Sequence, residues 1–252
     1  MSFSFEKKTF LTVSLIILGL EFTIFFPSFF LLTLFTLTLF LFFALSSILK
    51  IKPKEQSLYP IFVLPLVLLV EASIVLQVIP DFSLKHLFVF GFALLLYLVT
   101  SSLGVLKSHI ISYSLIIFNI ITMSFLLAVF FAYVVLYNFY LVFNLPLWIT
   151  MIAVFFLTSL FFRFNLWKND LLEVNSKTYS FVLSLILMET FWALSFWPFL
   201  ALSSGFIIFL VYYIFLDLFN LLLKRSLDKK SLLGQVVVPS VVLVIFLFSM
   251  KW

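Results

Sequence analysis

The sequence predicts an all-α, polytopic integral membrane bundle of about nine transmembrane helices. Three observations carry that prediction. The 252 residues are 65% hydrophobic and only 10% charged, whereas a soluble domain is about a quarter charged. Apolar runs of about 18 to 25 residues recur along the chain, and at 1.5 Å rise per residue each run matches a hydrocarbon core of about 30 Å. Apolar–polar alternation with period two is missing, so the pattern of a transmembrane barrel is excluded. No stretch between runs exceeds about 16 residues, which leaves no room for a soluble domain. The chain therefore reads as a single transmembrane domain, residues 1–252.

The elements follow from the breaks between runs. The first span, 9–26, comes after a basic start and has no small-residue cleavage site, so it reads as an uncleaved signal anchor. Pro27-Ser28 separates it from 28–49. The polar KIKPKEQ segment precedes 60–79, PDFSLKH precedes 87–106, and Lys107 with its neighbours precedes 112–136. The mildly polar YNFYLVFNL introduces 146–162, and RFNLWKNDLLEVNSK introduces 179–200. The short Ser203-Ser204-Gly205 turn opens 205–223, and KRSLDKK opens 232–250. The YNFYLVFNL and Ser-Ser-Gly breaks are the weakest, and losing one of them would leave eight spans.

Charge tests the count. With the N-terminus inside, thirteen basic residues fall on the inner side, from Lys7 and Lys8 to Lys229 and Lys230. Only Lys85 and Lys251 fall outside. This positive-inside asymmetry favours nine spans in the cytoplasmic membrane, with the N-terminus cytoplasmic and the C-terminus outside. The net charge of +5 is thus a topology signal, and no nucleic-acid partner is expected. Membrane lipids are the expected surroundings, with other membrane proteins or further copies of the chain as candidate partners.

Cysteine is absent, which removes disulfides, thiolate metal sites and cysteine nucleophiles. No zinc-protease, nucleophile-elbow or phosphate-loop motif occurs, and no acidic pair suited to Mg²⁺-pyrophosphate. No span holds a lysine for a retinal Schiff base. His86 and His109 are expected on opposite faces of the membrane, so no metal or other cofactor is expected, and with no recognisable nucleophile, metal or cofactor motif the sequence leans against an enzyme without deciding it. Asp81, in an outer loop, is the one weak candidate for an outward-facing acid.

The informative residues are acids inside apolar runs. Glu21, Glu71 and Glu189 each lie roughly 16–18 Å from the inner end of their span, and Asp217 lies closer to the cytoplasmic side. An ionised acid near the bilayer centre costs at least about 2.5–3.5 kcal/mol. No Lys or Arg lies within the expected spans, so the three glutamates are expected to be protonated and buried against other helices. Thr33, Thr36, Tyr97, Thr100, Ser101 and Thr122 are available polar neighbours. Asn119 occupies the corresponding place in the fifth span. Tyr213, Asp217, Asn220 and Lys224 form one helical stripe. Pro65 lies six residues before Glu71, where a kink would free a backbone carbonyl.

A faint repeat aligns 62–80 with 181–198, each with Glu followed by Leu at +5 and Pro at +9. Duplication of this kind is common in transporters. The leading functional expectation is a transporter-like protein, or the membrane subunit of a transport complex. Glu71 and Glu189 would form its protonatable centre, with Glu21 accessory. The alternative is a structural or assembly subunit whose acids only pack helices. An intramembrane lipid-acting enzyme comes third.

Overall fold

The computed structural model describes residues 3–49, 61–79, 81–107, 115–141, 144–169, 176–197, 200–223 and 237–249. Among these, all regular structure is helical. The elements are α1 (Phe3–Phe25), a 3-10 turn (Pro27–Phe29), α2 (Phe30–Leu49), α3 (Val63–Val78), α4 (Phe82–Lys107) and α5 (Leu115–Leu141). They continue with α6 (Leu147–Lys168), α7 (Ser176–Leu194), α8 (Ala201–Leu223) and α9 (Val238–Ser249). A helix satisfies its own backbone, which lipid cannot do, and long runs without Gly or Pro let each helix propagate.

Among the described residues, a helix overlaps each of the nine expected spans. Both weak breaks fall elsewhere than expected: α5 runs on to Leu141, so the break before α6 lies at 144–146, and Ser203-Ser204-Gly205 is not a turn but part of the first turns of α8, which begins at Ala201 after the turn at 195–197. Asn144 adopts φ 51° between α5 and α6, a left-handed conformation that Asn tolerates, and Pro146 then caps α6. Among the described residues, six helices are long and apolar enough to cross a membrane: α1, α2, α4, α5, α6 and α8. The α3 helix has 16 residues, and α7 carries both Lys177 and Glu189 within 19. Phe10, Leu31, Phe35, Leu87, Phe90 and Phe156 are all more than 60% exposed on their helices. Such surfaces are a liability in water and ordinary in lipid. The chain is therefore a multi-pass helical membrane protein.

Two compact units divide the chain, Met1–Ala128 and Val129–Trp252, with the boundary inside α5. In the first, α1 packs against α4 and α2, and α3 packs against α4 and α2. Ile16, Leu20, Leu41, Leu45, Leu69 and Leu96 fill the space between them. In the second, α7 packs against α6 and α8, and α9 packs against α8. Tyr133, Tyr137, Phe161, Phe191 and Tyr212 are fully buried there. The Tyr133 hydroxyl meets Thr158 Oγ1 at 2.8 Å. Tyr137 donates to the Leu194 carbonyl at 2.7 Å, satisfying one of the carbonyls left open at the end of α7.

Pro65 falls in the first turn of α3. The amide it lacks would have no helical partner there, so no kink near Glu71 is needed.

Candidate functional site

The α3–α4 hairpin sets the geometry in the first unit. Only residues 79–81 join the two helices, so they run antiparallel side by side. Asp81 caps α4: its Oδ1 accepts from the Ser83 amide at 2.8 Å and the Leu84 amide at 3.3 Å. That is a common N-cap role, and it gives Asp81 a structural place at the start of α4.

Glu71 sits mid-way along α3, seven residues before its end at Val78. It is 5% exposed, beside the buried Ala72 and Ser73. Its Oε1 has no hydrogen-bond partner among the described residues. A buried carboxyl oxygen without a partner is uncommon in a native fold.

Glu21 is placed differently. It lies four residues before the end of α1, about 6 Å along the axis. His86 lies four residues after the start of α4. Their levels match, and His86 Nδ1 meets Glu21 Oε2 at 2.7 Å. Both side chains are partly exposed, at 35% and 26%. Phe82 packs edge-on against the imidazole at 4.5 Å, with Phe25 at 6.1 Å, so the ring's orientation is held. Counting along the hairpin, Glu71 lies three residues deeper than His86, about 4.5 Å along the axis.

The remaining candidates have other surroundings. Glu189 is exposed on α7, on a face shared with Phe181 and Trp192. Its expected burial is therefore corrected: the buried side of α7 is taken by Leu183, Leu187 and Phe191. Glu71 and Glu189, aligned by the sequence repeat, thus have opposite environments. Asn119 is exposed near the start of α5. Asp217 lies on α8 next to Tyr213, one turn earlier, with which it shares a hydrogen bond. Lys224, His109, Gln235 and Pro198 lie outside the described residues.

The hydroxyls expected to serve the acids mostly bond to their own helices. Thr33 donates to Phe29 and Phe30 carbonyls, Thr36 to Thr33, Thr100 to Leu96 and Tyr97, and Thr122 to Phe118. Back-bonding of this kind is the usual fate of Thr in an apolar helix.

Two contacts between helices are not legible in the sequence. The partner of Glu21 is His86, which lies just before the expected span 87–106 and is not one of the Lys or Arg residues expected to neutralise an acid. A partial signal is present, since Glu21 and His86 each lie one turn from a helix end. The second is Asn165, 2% exposed, whose Nδ2 donates to Asn220 Oδ1 at 2.9 Å. Each asparagine lies three residues before the end of its helix. The bond fastens α6 to α8, so Asn220 in the polar stripe serves packing.

Among the described residues, no group of three His, Asp or Glu side chains is placed to hold a metal. The chain matches no protein-family model, no curated protein and no solved structure. Its functional reading rests on residue geometry.

Proposed function

We propose that the chain is a nine-span protein of the cytoplasmic membrane, N-terminus inside and C-terminus outside, that moves protons, alone or coupled to a small or lipidic solute. Glu71 is the protonatable group in this reading. The Glu21–His86 pair, partly exposed and about one turn nearer the end of the helix hairpin, relays protons between the outer surface and Glu71. The observation that carries the reading is the buried carboxyl of Glu71 with an unpartnered oxygen. A carboxyl kept only to pack helices would be expected to have its hydrogen bonds made. Glu189 and Asp217 belong to the second unit and are secondary candidates.

The test is proton flux into sealed proteoliposomes, read with an enclosed pH-sensitive dye under an imposed gradient. Glu71→Gln keeps the side chain's size but cannot carry a proton, so flux falls to the background of empty vesicles. His86→Gln slows flux without abolishing it. Wild-type protein that conducts no more than empty vesicles, or Glu71→Gln at wild-type flux, rejects the reading.

A further inference from the structure

The second unit holds a concave site that the proton reading does not use. A groove of about 430 Å³ lies between α6 and α7. Arg163 and Lys177 line it together with Ser159, Ser180, Phe156 and Phe181. Both cations are exposed, and neither forms an ion pair with an acid among the described residues.

The walls are built so that charge and oil are separated along the axis. Arg163 lies five residues before the end of α6, and Lys177 is the second residue of α7. The two cations thus share one end of the α6–α7 hairpin. Phe156 lies seven residues earlier on α6, about 10.5 Å deeper, and Phe181 lies one turn deeper on α7. They are 62% and 55% exposed. The bottom is rigid. Ser159 and Ser180 hydroxyls meet at 2.8 Å, and Phe155 packs edge-on against Phe181 at 5.6 Å. These contacts hold α6 against α7 and so fix the spacing from which the two cations project.

We propose that this groove binds one anionic phospholipid, its phosphate held between Arg163 and Lys177 and an acyl chain lying along Phe156 and Phe181. Charge complementarity selects the anion: two like charges converge on one groove, and no acid among the described residues pairs with either. The exposed aromatic wall directly below the cations selects a lipid over a soluble phosphate, which would leave that wall unused. Basic grooves between helix ends on the positively charged side of a membrane protein suit anionic head groups. The inference does not depend on proton movement, so either reading can fail alone.

The experiment is a native mass-spectrometric titration of the full chain in neutral micelles with phosphatidylglycerol or with phosphatidylcholine of the same acyl chains. Phosphatidylglycerol binds one tight site at least tenfold more strongly than phosphatidylcholine. Each Lys or Arg near a lipid surface contributes about fivefold in affinity. Arg163→Gln and Lys177→Gln therefore each weaken phosphatidylglycerol by about fivefold and together by about thirtyfold, whereas Arg163→Lys keeps most of the preference. Inorganic phosphate in large excess leaves the lipid in place. The proposal is overturned if the wild type shows no preference for the anionic lipid. It is also overturned if inorganic phosphate displaces the lipid, or if the double Gln variant binds as the wild type does. Should that variant not fold, the wild-type preference and the phosphate arm decide.

Discussion

Gly205 of α8 lies directly against the backbone of Val134 on α5. A Cβ placed there would stand 2.8 Å from Val134 Cα and 2.9 Å from Val134 N, besides meeting Val134 Cγ2. Carbon contacts settle at about 3.5–4.0 Å, so Gly205→Ala requires α5 and α8 to part by about 0.7 Å or more. Backbone atoms cannot rotate aside as a side chain can. Overpacking typically costs 1–3 kcal/mol, and the rigid obstacle puts Gly205→Ala in the upper part of that range, at about 2–3 kcal/mol. Small residues at such crossings are what let membrane helices approach closely. Gly19 is the internal comparison. The three atoms nearest a Cβ there all belong to the Leu37 side chain, at 2.5 to 3.0 Å, and a leucine end can turn away. Gly19→Ala should therefore cost about 1 kcal/mol or less. Reversible denaturant unfolding in mixed micelles, followed by helical circular dichroism, measures both. The reasoning is refuted if Gly205→Ala unfolds at the wild-type midpoint, or if Gly19→Ala is the more damaging change.

Tyr137→Phe removes the hydroxyl that binds the buried Leu194 carbonyl; a loss of about 0.6–1.7 kcal/mol in the same unfolding assay is expected, and an unchanged midpoint would show that the contact carries no net stability. Glu189 has an exposed side chain on an apolar helix face, so Glu189→Leu should leave the unfolding midpoint unchanged or raise it. An acid at a helix centre costs about 2.5–3.5 kcal/mol on insertion, so a translocon insertion assay of the α7 segment should show improved insertion. A drop in stability of more than about 1 kcal/mol would mean that the carboxyl is bound within the folded chain.

Helix places were legible because they depend on local properties. A run of apolar residues long enough to span lipid must be helical wherever it packs, and Pro27 ends a helix through its fixed backbone while Asp81 begins one through its side-chain cap. Facing was not legible. A helix that is apolar all round has almost no amphipathic signature, so the side of α7 that carries Glu189 could not be told from the side that carries Leu187. Depth was only partly legible. Counting from inner ends placed Glu21 near the membrane centre, whereas α1 begins at Phe3 and leaves Glu21 one turn from the other end.

The sequence by itself determined that this is a helical membrane protein with helices at nine places and few polar groups inside them, because hydropathy and length are additive along the chain. Only the tertiary structure decided that Glu71 is enclosed while Glu189 is exposed. It also decided that His86 is the base for Glu21, and that Arg163 and Lys177 share one groove. Those outcomes depend on the rotation of each helix about its axis. In a chain this uniformly apolar, that rotation is set by how side chains such as Leu37 and Val134 interlock with neighbouring helices, and no stretch of one helix contains that information.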